Sequence, residues 1–370
     1  MLILFLLFAA LALAFANGAN DNFKATATLY GSGKLAYGRA RWLATVSQIA
    51  GSLASVVWAE ALLRAFGGKG LVPDAVVGDP TFLAAVAAGA SVTVLLATRV
   101  GLPISTTHAL VGGLAGAGFA LVPDQLSWSA LGGSYFLPLL VSPFLAFGFA
   151  SAIYPLVHQT RRVLGIEADT CICIGESRDP VRQMSNGAWV VERTGLELTI
   201  DQTENCRDFY SGEALGVSVQ AIVDRLHQGS AFSLGFARGL NDTPKVLALL
   251  VTAGWSGFDP RLSLGVIAGA MALGGYFRAR RVAETLAHGI TKLTHGQGLL
   301  ANSIASGLVI SASLLGSPVS TTHVSTGALF GIGLWNKGTD WSTVTGIVAA
   351  WIGTLPVAAA MAAAVAYSLG

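Results

Sequence analysis

The chain repeats itself. Residues 15–24 read FANGANDNFK and residues 236–245 read FARGLNDTPK, with Phe, Ala, Gly, Asn, Asp and Lys in register. Residues 101–116, GLPISTTHALVGGLAG, match residues 316–331, GSPVSTTHVSTGALFG, through Gly, Pro, Ser-Thr-Thr-His and the later glycines. The offsets are 221 and 215 residues, so both pairs belong to one duplication of a long unit. Any fold for this chain must accommodate two copies of that unit, each with an Asn-Asp motif, two apolar segments and then a Ser-Thr-Thr-His motif.

The medium follows from what surrounds the motifs. Residues 1–16 hold no charged or polar side chain, and the whole chain is 53% hydrophobic and 11% charged. Soluble domains carry about 25% charged residues, so composition excludes a wholly soluble chain and predicts an integral membrane protein. A net charge of +2 gives no sign of a nucleic-acid partner. A bilayer span needs roughly 20 apolar residues. Ten candidates stand out: 2–22, 43–66, 82–98, 103–122, 132–157, 230–254, 261–277, 299–315, 318–335 and 343–368. Several are short or interrupted by glycine, the signature of broken or re-entrant helices. Five crossings per copy is an odd number, so the second copy enters the membrane inverted. The expected fold is an all-α polytopic membrane protein built as an inverted repeat, with a first membrane repeat at 1–157 and a second at 230–370. The first segment lacks the basic start and the A-x-A site of a cleaved signal, and cleavage would remove half of a matched pair.

Residues 158–229 differ, holding 18 of the charged residues. AWVVERTGLELTI alternates around Thr194-Gly195 and reads as a β-hairpin, while EALGVSVQAIVDRL (213–226) reads as an amphipathic helix. This predicts a small soluble α+β insertion. Lys24, Lys34, Arg39 and Arg41 place the first loop in the cytoplasm, and Arg161, Arg162 and the RARR of 278–281 place the insertion and a later loop there too. Both termini are then outside. Cys171, Cys173 and Cys206 are too few for a disulfide framework; they read as a metal or redox site, or as inert cytosolic thiols.

Residue chemistry at the motifs points to an ion site. An aspartate inside a membrane costs several kcal/mol, with estimates starting near 2.5–3.5, and needs partners. Across a pseudo-two-fold axis Asp21 can meet Asp242, Lys24, Lys245 and bound ions. Pro103 and Pro318 suit the first turn of a helix, which puts Ser105, Thr106, Thr107 and Ser320, Thr321, Thr322 at helix N-termini. Free amides, a partial positive charge and added hydroxyls there suit an anion, and two such tips would cage a tetrahedral oxyanion without any arginine. Asn20, Asp21, Asn241 and Asp242 supply hard oxygens for Na⁺, or carboxylates that take up a proton. Gly18 and Gly239 beside them would permit unwound backbone whose carbonyls face a cation. Lys24 and Lys245 could contact the anion, neutralise the aspartates or snorkel to the cytoplasmic face. His108 and His323 could relay protons or only hydrogen-bond in packing, and are not counted as site residues.

The paired Gly-x-Asn-Asp and Pro-x-Ser-Thr-Thr-His motifs, in inverted halves around a cytoplasmic insertion, resemble those of the inorganic phosphate transporter family. The resemblance covers both membrane halves and not the insertion. It implies uptake of inorganic phosphate across the cell (inner) membrane coupled to Na⁺ or H⁺, by a homodimer with no cofactor beyond a possible bound Na⁺ at Asp21 and Asp242. By motif match, 105–107 and 320–322 would bind phosphate, while Asn20, Asp21, Asn241 and Asp242 would take the cation. The first motif departs from the family's usual Asn-Asp-Val-Ala-Asn: Asn22-Phe23-Lys24 follow the aspartate. That lysine matches the second-half pattern Asn-Asp-x-x-Lys at 241–245, and Arg238 stands where the first half has Asn17. Some relatives carry sulfate, which makes a sulfate or related oxyanion permease one alternative. Phosphate is favoured over sulfate because its protonated forms can donate a hydrogen bond to a carboxylate. Two further alternatives are an anion channel and a membrane-embedded hydrolase pairing Ser105 with His108, or Ser320 with His323, at i, i+3. Against an enzyme, no third orienting acid is apparent.

Overall fold

The computed structural model describes residues 1–58, 60–167, 170–176, 182–183, 185, 189–190, 196–202, 217–254, 260–288, 293–336 and 339–369. The chain divides into two compact units, one of Met1–Tyr154 with Gln228–Gly370 and one of Pro155–His227.

In the larger unit every apolar segment is helical. Among the described residues the α-helices of five residues or more are α1 (Leu2–Asp21), α2 (Ala27–Gly31), α3 (Tyr37–Trp58), α4 (Glu60–Ala65), α5 (Pro80–Arg99), α6 (Thr106–Leu121), α7 (Leu137–Val163), α8 (Val219–Thr252), α9 (Pro260–Arg278), α10 (Arg280–His288), α11 (His295–Leu314), α12 (Thr321–Gly333) and α13 (Trp341–Leu369). Among the described residues, five helical stretches are long and apolar enough to cross a bilayer alone: Leu2–Ala25, Pro80–Arg99, Trp128–Val163, His295–Leu314 and Trp341–Leu369. A sixth arises if Leu262–Arg278 and Arg280–Ala287, bent by 69°, count as one broken span. Among the described residues the ten apolar segments are therefore not all full-length spans, in keeping with the broken or re-entrant segments expected. Helices α6 and α12 have 16 and 13 residues; at 1.5 Å per residue these reach only about 20–24 Å, short of a hydrocarbon core about 30 Å thick.

The halves interlock. α1 packs on α5 and on α9, α3 packs on α9, and α13 packs on both α5 and α6. The short helices sit deepest because their glycines admit neighbouring backbone. A methyl group at Gly112 or Gly116 of α6 would lie 2.4 Å from Leu355 O or 2.0 Å from Ala359 O of α13. At Gly327 or Gly331 of α12 it would lie 2.5 Å from Pro143 O or Phe147 O of α7. These two glycine pairs, each four residues apart, are the later glycines of the duplicated motif, and they follow the small-xxx-small rule for close membrane-helix contacts.

The same observation corrects the reading of Gly18 and Gly239. Both lie inside continuous helix, not unwound backbone. Their added methyls would fall 1.8 Å from Met271 O and 2.0 Å from Gln48 O. They let each Asn-Asp helix press against a helix of the other half. Unwinding comes after the first motif, where Asn22–Ala25 form a 3₁₀ turn; in the second half α8 runs on through Pro244.

In the smaller unit, β1 (Thr170–Glu176) is the centre of a three-stranded antiparallel sheet, between β4 (Leu196–Gln202) and β5 (Val217–Ser218). A two-stranded ribbon joins β2 (Arg182–Gln183) to β3 (Trp189–Val190). The expected hairpin is thus re-partnered: its first arm pairs with β2 and its second with β1, and residues 191–195 of its turn lie outside the described residues. The expected 213–226 helix begins only at Val219, is continuous with the sixth apolar segment, and has residues 213–216 outside the described residues. Cys171 is buried in β1, Cys173 is also on β1, and Cys206 lies outside the described residues.

Candidate functional site

The four motifs converge at the middle of the larger unit. Gly101 and Gly316, at φ +79° and +68°, reverse the chain ahead of α6 and α12. Ser105 and Ser320 are the N-caps, accepting hydrogen bonds from His108 N (3.1 Å) and His323 N (3.2 Å). Pro103 and Pro318 therefore precede the caps by two residues and are not first-turn residues, which corrects the sequence reading. The caps leave Thr106 and Thr107, and Thr321 and Thr322, to aim hydroxyls into the space between the tips.

Asp21, at the C-terminal end of α1, collects two of the four. It accepts from Thr106 Oγ1 of its own half at 3.1 Å and from Thr322 Oγ1 of the other half at 2.8 Å. Lys24 Nζ donates to it, Asn17 Nδ2 donates at 3.2 Å, and an Arg238 guanidinium nitrogen stands 3.6 Å away. Asp242 on α8 accepts from Thr321 Oγ1 at 3.4 Å, Asn241 Nδ2 at 2.8 Å and Lys245 Nζ at 3.3 Å. Asn17 Nδ2 also reaches Asp242 Oδ2 at 3.4 Å and so bridges the two carboxylates.

The lysines repeat one pattern across the halves. Lys24 donates to Ile104 O of its own half (2.8 Å) and to Thr322 Oγ1 of the other (2.7 Å). Lys245 donates to Val319 O of its own half (2.8 Å) and to Thr107 Oγ1 of the other (2.8 Å). At 4% and 1% exposure neither lysine snorkels. Asn20 fixes the entry loop of α6 by accepting from Ile104 N (3.1 Å) and donating to Leu102 O (3.0 Å) and Thr98 Oγ1 (2.9 Å). Asn241 donates to Val319 O (3.3 Å) and accepts from Ser313 Oγ (3.2 Å).

All twelve residues singled out by the sequence are thus brought together and buried. Two more belong with them. Arg238 is 2% exposed and donates to Thr321 Oγ1 (3.1 Å) and Ser325 Oγ (2.8 Å). The expectation of a cage without arginine is corrected: a guanidinium stands at the α12 tip. Asn17 occupies the equivalent place in the first half. Both sit three residues before the motif asparagine, at the one position of the repeat where a neutral residue pairs with a charged one. That difference was the available signal for their role.

Two features border the site. The rings of His108 and His323 meet with centroids 4.2 Å apart, and His323 stacks on Trp351 at 4.0 Å. His108 Nδ1 lies 3.1 Å from the Ser105 hydroxyl, which already serves as a cap. On the other side, an open cavity of about 870 Å³ is lined by Thr98, Arg99, Arg278, Arg280 and Arg281 among others. Thr98 connects it to Asn20.

Chemically, the centre offers threonine hydroxyls and a guanidinium to an anion and carboxylates to a cation or proton. Comparison with known proteins gives the same direction. The model of the phosphate transporter family matches residues 17–362. A protein of Pyrococcus abyssi named as a putative phosphate permease is 27% identical over 401 residues, spanning 95% of this chain and 94% of that protein. A Mycobacterium bovis protein named as a probable low-affinity inorganic phosphate transporter is 28% identical over 368 residues, spanning 96% of this chain and 75% of that protein. Among solved structures, one titled the sodium-dependent phosphate transporter superposes with a TM-score of 0.76 at 21% identity, covering 100% of this chain and 98% of that one.

Proposed function

Because the chain belongs to the phosphate transporter family, a family of multi-pass membrane carriers and not of enzymes, we propose that it carries inorganic phosphate across the membrane by alternating access, driven by a gradient of Na⁺ or H⁺. The observation that carries this reading is the meeting of two helix tips, one from each copy of the repeat, with the two motif carboxylates between them.

The hydrogen bonds suggest how a carrier cycle starts. Asp21 and Asp242 now hold the hydroxyls of Thr106, Thr322 and Thr321. Phosphate entering between the tips would take those hydroxyls, and its own O–H groups would donate to the carboxylates. Arg238 would add a charge-assisted contact. Binding between the halves, not within one, lets the site open first to one side and then to the other. The cavity lined by arginines fits the cytoplasmic mouth, since positive residues mark cytoplasmic loops.

In the same reading the membrane repeats are 1–157 and 230–370, the second inverted; both termini are outside and the 158–229 insertion is in the cytoplasm. The assembly is a homodimer, as family resemblance suggests. Uptake of labelled phosphate into proteoliposomes carrying the purified chain, with imposed Na⁺ or proton gradients and sulfate as competitor, tests the transport claim. Accumulation that sulfate does not suppress is expected. Flux without accumulation in either gradient would point to a channel instead.

A further inference from the structure

We propose that this carrier runs without sodium: the ammonium groups of Lys24 and Lys245 are permanent occupants of its cation positions, and the anion it moves is singly charged dihydrogen phosphate. The proposal rests on the phosphate reading of the site and names its coupling and ionic form.

The surroundings of the two ammonium groups carry it. Lys24 Nζ has Asn20 Oδ1 at 2.8 Å, Ile104 O at 2.8 Å and Thr322 Oγ1 at 2.7 Å, with the Asp21 carboxylate completing the shell. An amide, a backbone carbonyl, a hydroxyl and a carboxylate form the kind of oxygen set that transporters with broken helices present to a hard cation. Lys245 Nζ has the same set less the amide, with Val319 O at 2.8 Å, Thr107 Oγ1 at 2.8 Å and Asp242 Oδ1 at 3.3 Å. In both places the position is filled by a charge tethered three residues from its own aspartate. A sodium ion entering either shell would have to displace that ammonium and strand it, buried, without its counter-charge, which is strongly unfavourable.

Charge balance gives the ionic form. Lys24, Lys245 and Arg238 face Asp21 and Asp242, all within the buried centre. Fully ionised, these groups leave one positive charge. Sodium would raise the excess, whereas one monoanion cancels it. Dihydrogen phosphate also has two O–H groups to offer the two carboxylates; hydrogenphosphate has one and sulfate none. The proton then travels on the substrate. On release, H₂PO₄⁻ gives HPO₄²⁻ and H⁺, so each turnover moves one proton per hydrogenphosphate and no protein group has to titrate. Besides the five charged groups, the titratable side chains bordering Lys24 and Lys245 among the described residues are His323 and His108.

The test uses the purified full chain in proteoliposomes, with labelled phosphate and an acidic exterior. The expected result is an initial rate unchanged when choline replaces Na⁺, falling as the exterior is made alkaline past phosphate's second ionisation. Uptake that requires Na⁺ and ignores the proton gradient would overturn the lysine assignment and leave the phosphate reading standing. No accumulation under either gradient would overturn the phosphate reading, and this proposal with it. A second arm reads binding without transport. The unfolding temperature of the wild type in detergent should be the same in sodium and choline chloride, whereas Lys24→Asn, which empties one oxygen shell, should unfold at higher temperature in sodium. Specific stabilisation of the wild type by sodium over choline would contradict the proposal.

Discussion

Asp21 and Asp242 occupy matching places in the repeat but bear unequal loads. Asp21 faces Lys24 and Arg238, whereas Asp242 has its closest ion pair with Lys245. Removing one partner of a buried ion pair costs about 3–5 kcal/mol. Asp21→Asn should therefore destabilise the folded chain more than Asp242→Asn, read as a larger drop in unfolding temperature in detergent; equal drops would contradict the assigned pairing. Thr106→Val and Thr321→Val remove one hydroxyl each and keep the shape. A hydrogen bond to a charged group contributes about 1.5–3 kcal/mol, so each change should weaken phosphate binding by roughly tenfold or more while leaving the fold intact. At this scale the sequence was informative wherever it repeated itself: the hydroxyls, asparagines, aspartates and lysines were visible because each appears twice. Arg238 and Asn17 were not placed, since their side chains match in position but not in chemistry. Gly18 and Gly239 were found but misread, because a glycine freeing the backbone and a glycine clearing space for a neighbouring helix look alike in sequence.

The helices that build the site are its shortest. α6 and α12 reach the centre from opposite halves because glycine faces let α13 and α7 press against them. Gly116→Ala and Gly331→Ala would push a methyl to within 2.0 Å and 2.5 Å of a facing carbonyl oxygen. Overpacking of this kind costs about 1–3 kcal/mol. Both variants should lose thermal stability, and phosphate uptake should fall as the tips shift. Gly346→Ala on α13 meets nothing within 4 Å and serves as the control, expected to be neutral or slightly stabilising. All ten apolar segments were legible as helices, since hydrophobicity alone reports them. Their depth was not legible: whether a short apolar helix crosses or stops half-way depends on what caps it, and Ser105 and Ser320 cap theirs inside the protein.

For the whole molecule, duplication is the feature that organises everything else. It explains why contacts come in pairs, why α1 and α8 each lean on a helix of the other half, and why the α6 and α12 tips meet. The proposed inverted arrangement predicts sidedness. In a cysteine-free background, Ala36→Cys should react with a membrane-impermeant thiol reagent only from the cytoplasmic face, and Gln125→Cys only from outside; the reverse pattern would invert the proposed topology. The insertion shows the limit of local pattern. Alternation marked 196–200 as a strand arm, but its partner is β1, more than twenty residues earlier, and no neighbouring residue announces that pairing. The claim that a single phosphate site lies between the two halves is tested most directly by calorimetric titration of phosphate into the wild type, Thr106→Val and Thr321→Val. A site shared between both tips predicts similar loss of affinity from either change, whereas full wild-type affinity in either variant would contradict it.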